Sequence, residues 1–214
     1  MYLKDIMTTN VVTIPSTTNL ADAKRIMDAH HVRRLPVVDR GELAGIISDH
    51  MINMATPHKG TTLSPWEFSY QLHAIKVKEI MEKNVVTVSS DMTAEEALAI
   101  AQEKKVGSLV VMDECHHVVG IATTNDFFYK IVNPVLGLGE PGTRVEVLGG
   151  GESKALEDII ITINKLNLSM TNLHIISLPD SKKKNLVIHL GNDNVEPLLD
   201  NLKAKKYKVS IRHR

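Results

Sequence analysis

Asp5-Ile6-Met7-Thr8-Thr9-Asn10-Val11-Val12-Thr13-Ile14 returns 74 residues later as Glu79-Ile80-Met81-Glu82-Lys83-Asn84-Val85-Val86-Thr87-Val88. The echo continues at the same offset, with Leu35-Pro36-Val37-Val38-Asp39 matching Leu109-Val110-Val111-Met112-Asp113. One inserted residue then moves the offset to 75, so Gly45-Ile46-Ile47-Ser48 matches Gly120-Ile121-Ala122-Thr123. Two copies of a unit of roughly 55 to 60 residues are too few for a solenoid and suit a pseudo-two-fold pair. A cleft between related halves is a common place for a small ligand, so the repeat predicts a site as well as a fold.

Within each copy the hydrophobic period switches in a fixed order. The β-branched runs at 11–14 and 85–88 predict short strands. An amphipathic helix follows. In the second copy Ala94, Ala97, Leu98 and Ala101 share one face, and Thr93 with Glu96 forms a capping box. In the first copy Asn19 is the expected N-cap, with Leu20, Ala23 and Met27 turned inward. Two strands come next, at 34–38 and 43–47 around the turn Asp39-Arg40-Gly41, with counterparts at 108–112 and 118–122. A second helix begins near Asp49 and again near Asn125. The unit is β-α-β-β-α, twice.

Residues 55–64 read as a loop, and 65–72 as a helix with Pro65 in its first turn. Trp66, Phe68 and Tyr70 place three of the chain's eight aromatics there, so that insert is expected to pack on the core. Two Pro and three Gly mark 133–142 as a linker. Strands at 143–148, 170–178, 186–190 and 208–212, with helices at 153–166 and 195–205, then give the β-α-β-β-α-β order of a ferredoxin-like domain. The expected fold class is α/β (α+β). The expected divisions are a first repeat at 1–60, a connecting helix at 61–76, a second repeat at 77–132, a linker at 133–142 and a C-terminal domain at 143–214.

Composition narrows the function. Lys plus Arg and Asp plus Glu both total 25, which argues against a broad nucleic-acid footprint. The single Cys115 excludes an intramolecular disulfide and a zinc ribbon and suits a reducing compartment. No apolar run approaches a membrane span and the N-terminus lacks a signal pattern, so a soluble cytoplasmic protein without membrane partners is expected.

The repeat resembles a tandem pair of cystathionine-β-synthase (CBS) domains, a Bateman module. The likeness is carried by the Asp5-Ile6-Met7 and Glu79-Ile80-Met81 openings, the Arg34-Leu35-Pro36-Val37-Val38-Asp39 strand and the Gly120-Ile121-Ala122-Thr123-Thr124-Asn125-Asp126 turn. The C-terminal part is similar to an ACT domain, a small regulatory unit that often senses amino acids. The order of the two resembles the AcuB-like acetoin-utilisation proteins, on that architecture and on Pro141-Gly142 at the entry to the first C-terminal strand.

The sharpest local signal is Thr123-Thr124-Asn125-Asp126, where a strand gives way to a helix. Unpaired N–H groups and a partial positive charge gather there, so a phosphate can dock. The Thr123 hydroxyl adds a donor, and Asp126 can accept from a ribose diol. The resemblance implies these roles, with Val86, Thr87 and Ser108 lining an adenine slot. Thr-x-x-Asp is also close to a capping box, which would stabilise the helix without any ligand. The first copy departs from the pattern: Ser48 keeps the hydroxyl, but Met51 stands where the aspartate should be. Methionine is a weak acceptor, so the Ser48 cleft is expected to be weaker or empty. Arg33 and Arg34 can pair with phosphate or lie on a solvated surface.

The adjacent pairs His30-His31 and His116-His117 diverge rather than converge on one ion, so no metal is expected. Cys115 reads as an exposed turn thiol, and no Gly-x-Ser-x-Gly, Walker loop or convincing carboxylate pair supports catalysis. Gly149-Gly150-Gly151 stands where ACT domains can bind an effector, yet the run into Ser153 reads more simply as a turn with an N-cap. Together these readings predict a non-enzymatic homodimeric regulator. Its effector would be an adenosine compound (AMP, ATP, S-adenosylmethionine or NADH), with no catalytic cofactor, and an unidentified protein is a possible target. The alternative is a structural protein with empty clefts acting through dimerisation and partner contacts.

Overall fold

The computed structural model describes residues 1–55, 70, 72–177, 183–191 and 194–213, and they form two compact units, Met1–Phe128 and Tyr129–Arg214. The helix expected at 65–72, with Trp66 and Phe68, lies largely outside the described residues.

In the first copy α1 (Leu20–Ala29) leads to the antiparallel pair β1 (Arg34–Asp39) and β2 (Glu42–Ser48), then α2 (Asp49–Ala55). The Asn19 side chain accepts from the Asp22 N–H at 2.8 Å, so the helix starts where its cap predicts. Leu20, Ala23 and Met27 are buried. Arg40 and Gly41 both take positive φ, 54° and 89°, which gives the hairpin a twist matched to its strands.

The second copy runs α3 (Val77–Ile80), β3 (Thr87–Ser89), α4 (Ala94–Glu103), β4 (Ser108–Met112), β5 (Val118–Thr123) and α5 (Thr124–Phe127). Thr93 and Glu96 close the expected capping box in both directions, at 3.2 and 3.1 Å.

The strand expected at 85–88 shrinks to β3, parallel to β4, and the one expected at 11–14 shrinks to a single bridge between Ile14 and Val37. Two prolines distinguish the first copy here, Pro36 in the place of Val110 and Pro15 in the place of Ser89. Val110 donates to the Val86 carbonyl at 3.1 Å, whereas its counterpart Pro36 has no N–H to offer Val12.

The two copies exchange their openings. Thr8 pairs with Ile121 through 2.9 and 3.0 Å bonds, and Glu82 pairs with Ile46 through two 2.9 Å bonds. The Leu3 N–H donates to the Met92 carbonyl, and the Val77 N–H to the Thr18 carbonyl, both at 2.8 Å. Each opening therefore adds backbone bonds to the other copy, and Val77 joins the core of Ile14, Leu20, Met27, Leu35 and Ile47. Leu3 is likewise fully buried. Burying such a side chain is worth about 1.5–3 kcal/mol.

This crossing also explains two glycines of the repeat. A Cβ on Gly120 would lie 2.5 Å from the Met7 sulfur, and one on Gly45 would lie 2.8 Å from both the Met81 sulfur and the Glu82 carbonyl oxygen.

The C-terminal unit contains β6 (Thr143–Leu148), α6 (Ser153–Lys165), β7 (Met170–Ser177), β8 (Lys184–Leu190), α7 (Glu196–Ala204) and β9 (Lys208–His213). The sheet order is β7-β8-β6-β9, antiparallel throughout. Val145, Val147, Ile159, Ile163, Leu186, Ile188 and Leu202 form its core. The β-α-β-β-α-β order read from the sequence is thus present. Ser153 is the first helical residue and Glu152 occupies the cap position without a side-chain bond, so the expected Ser153 cap is displaced by one residue.

Candidate functional site

β5 ends at Thr123 in extended conformation (φ −120°, ψ 164°), and the chain then turns into α5. Asp126, three residues on, accepts from the Thr123 N–H at 2.9 Å and from its hydroxyl at 2.7 Å. The capping box is therefore formed. The other carboxylate oxygen accepts from the Thr8 hydroxyl at 3.3 Å. Thr8 comes from the first copy's opening, brought here by its pairing with Ile121.

The Thr123–Asp126 turn borders a cavity of about 720 Å³ that is also lined by His31, Arg33 and Arg34 from the first copy. That volume falls within the ~300–1,000 Å³ range of small-molecule sites. Ser48 and Asp49 complete the wall. His31 has φ 54°, and the chain straightens into β1 at Arg34. A Cβ on Gly107 would come within 2.8 Å of an Arg34 guanidinium nitrogen, so the absence of a side chain at 107 makes room for that cation. Cations and a carboxylate-plus-hydroxyl turn thus line one cavity at the seam between the repeats. Two guanidinium groups can pair with an anion in forked fashion, and the carboxylate can accept from hydroxyls.

The turn in the first copy is built differently. The Ser48 hydroxyl oxygen accepts from the Met51 N–H at 3.2 Å and caps α2. Asp49 is held by Lys24 at 2.7 Å, and Lys24 also reaches Asp28 at 3.0 Å. These two carboxylates raise the Lys24 pKa above its ordinary value, with the Asp49 hydrogen bond the larger cause. The counterpart of Lys24 in the second copy is Leu98, and there a cavity of about 300 Å³ remains, bordered by Leu98, Ala101, Val106, Ser108, Thr123 and Phe127.

The residues read from the sequence fall into three places. Thr123, Asp126, Arg33, Arg34 and Ser48 share the seam cavity. Ser108 borders the neighbouring apolar cavity, which meets the first at Thr123. Thr87 borders a separate opening with Glu42, Leu43, Lys83 and His116, while the Val86 carbonyl is occupied in the β3–β4 pairing. Neither Val86 nor Thr87 lines the cavity of Thr123 and Asp126. Thr8, absent from the sequence reading, holds the place beside Asp126. Its position in the repeated opening was the available signal.

Fold and site define a tandem α/β module: two related halves, each lending backbone to the other, with a polar cleft along their seam. The CBS domain family matches residues 3–55 and 77–133, more than half of the chain, and the chain belongs to that family. It is 31% identical over 139 residues to a CBS domain-containing protein of Dictyostelium discoideum, covering 63% of this chain and 96% of that one. To the inosine-5'-monophosphate dehydrogenase of Korarchaeum cryptofilum it is 29% identical over 62% of this chain, yet it spans only 25% of that enzyme.

Among solved structures, the CBS domain pair of protein MJ0100, in complex with 5-methylthioadenosine and S-adenosyl-L-methionine, is similar at TM-score 0.51 and 26% identity. That match covers 62% of this chain and 97% of that one. A Vibrio cholerae protein provisionally assigned to acetoin utilization (AcuB) matches at TM-score 0.52 and 29% identity, over 64% and 94% of the two chains.

Proposed function

We propose that this chain is a non-catalytic regulatory module whose seam cavity takes an adenosine-containing ligand. Arg33 and Arg34 would meet the phosphate or other anionic end, and Thr123 and Asp126 the phosphate and ribose. The observation that carries this reading is that two arginines from one copy and the Thr123–Asp126 turn of the other line one cavity of about 720 Å³. The adenosine compounds on the CBS pair of MJ0100 support the ligand class. The matched segment makes up a quarter of a dehydrogenase and nearly the whole of another protein, which supports a module separable from catalysis.

A ligand bridging the two copies stabilises whichever arrangement contacts it better, and so biases their relative position. The C-terminal unit, with its β-α-β-β-α-β order, is read here as an ACT-like partner in that response, and the functional particle as a homodimer. The Ser48 side, with Met51 for aspartate and Lys24 engaged by two carboxylates, is the weaker site. The alternative of a structural protein with empty clefts draws support from the capping box, which gives Thr123 and Asp126 a role without any ligand.

Thermal unfolding with AMP, ATP, S-adenosylmethionine and NADH tests the reading. A ligand at a hundred times its Kd stabilises by about 2.7 kcal/mol. A rise in Tm with at least one of the four is expected, and no rise with any would favour the structural alternative.

A further inference from the structure

The β4–β5 turn carries Asp113-Glu114-Cys115-His116-His117, and we infer that Asp113, Cys115 and His117 form a binding site for a thiophilic divalent cation of the zinc type. Their ligand atoms, one from each side chain, all lie within 4.8 Å of one another. The Asp113 Oδ2 to His117 Nδ1 separation is 3.5 Å. Tetrahedral zinc, with bonds of about 2.0–2.2 Å to nitrogen and carboxylate oxygen, holds two such ligands roughly 3.3 Å apart. That oxygen and nitrogen therefore already stand at ligand spacing, and the sulfur needs to close by no more than about 1.5 Å, within reach of side-chain rotation.

The backbone sets this arrangement. The His117 N–H donates to Asp113 Oδ1 at 2.8 Å, which fixes the carboxylate and leaves Oδ2 facing the ring. Asp113 donates to the His117 carbonyl at 3.0 Å, His116 donates to the Asp113 carbonyl at 3.1 Å, and His116 adopts φ 62°. The turn is thus closed by hydrogen bonds before any ion arrives. Alternate residues of a turn can converge where the adjacent pair His116-His117 cannot, and Asp113-x-Cys115-x-His117 follows no common metal-ligand spacing.

The donor set selects the ion. A thiolate and an imidazole favour zinc and its first-row neighbours, whereas magnesium and calcium require oxygen ligands. On binding, the Cys115 S–H bond breaks, its proton passes to solvent and a metal–sulfur bond forms, with no change of oxidation state. Three protein ligands leave the fourth position to water or another donor. Cys115 is exposed, so an ion has an open path.

Cobalt(II) titration of the full chain tests the site, because a sulfur-to-cobalt charge-transfer band in the near ultraviolet can report only Cys115, the one cysteine. The expected result is one such ion per chain, displaced by zinc, with the band abolished in Cys115→Ser. Asp113→Asn and His117→Ala should each weaken binding by about tenfold or more. Since Asp113 also closes the turn, His117→Ala is the cleaner of the two. Absence of the band, or a band whose affinity neither substitution alters, would overturn the proposal and leave an ordinary surface thiol.

Discussion

Replacing Gly120 by alanine tests whether the openings of the two repeats truly cross. The new methyl would lie 2.5 Å from the Met7 sulfur and 3.2 Å from Met7 Cγ and Cε, with no backbone atom among its three nearest neighbours. Such overpacking costs about 1–3 kcal/mol. Loss of glycine's freedom in the unfolded chain returns about 0.4–1 kcal/mol where the backbone is compatible, and Gly120 has no positive φ. The net expectation is a destabilisation of up to about 2.5 kcal/mol.

In a Met7→Ala background the obstacle is gone, and Gly120→Ala should turn neutral or stabilising. The coupling energy is then roughly 1–3 kcal/mol, measured by urea unfolding of the four variants. The mirror position behaves differently. A methyl on Gly45 meets the Glu82 carbonyl oxygen at 2.8 Å as well as the Met81 sulfur, and that carbonyl is tied to the Ile46 N–H. Met81→Ala should therefore fail to rescue Gly45→Ala. Zero coupling at Gly120, or full rescue at Gly45, would refute the reasoning.

Other outcomes follow from the same packing. Leu3→Ala should cost about 2–5 kcal/mol, because Leu3 is fully buried; denaturant midpoints check it. Asn19→Ala should cost about 1 kcal/mol through loss of the α1 cap, read in the same unfolding experiment. In the C-terminal unit His174 stacks on His189 at 5.8 Å, and burial, then Arg144, depress its pKa below the ordinary 6.5, against a smaller opposing effect of Glu146. The unfolded chain then binds the proton more readily, so stability falls as pH drops below about 6.5 and levels off under the depressed folded value. Urea midpoints between pH 7.5 and 5 should fall less in His174→Gln than in the parent chain.

The residue echo disclosed the two repeats, and hydrophobic periodicity the element order of both units, because burial on one face imposes its period on each element. Its limits are visible at particular residues. An offset of 74 shows that Thr8 and Glu82 are equivalent, but not that each pairs across to the other copy's strand. Val11 and Val12 have strand propensity, yet Pro36 withholds the donor their ladder needs. At the site, Asp126 against Met51 was readable as a difference in chemistry. Lys24 against Leu98 was not, because the Lys24 ion pair with Asp49 exists only once α1 and α2 are packed.

The central claim is that one cleft of the pair is competent. Calorimetric titration of the most stabilising adenosine ligand measures it directly. The account predicts one molecule bound per chain, lost in Asp126→Ala, with circular dichroism showing both proteins folded. Two molecules per chain, or binding undiminished in Asp126→Ala, would contradict it.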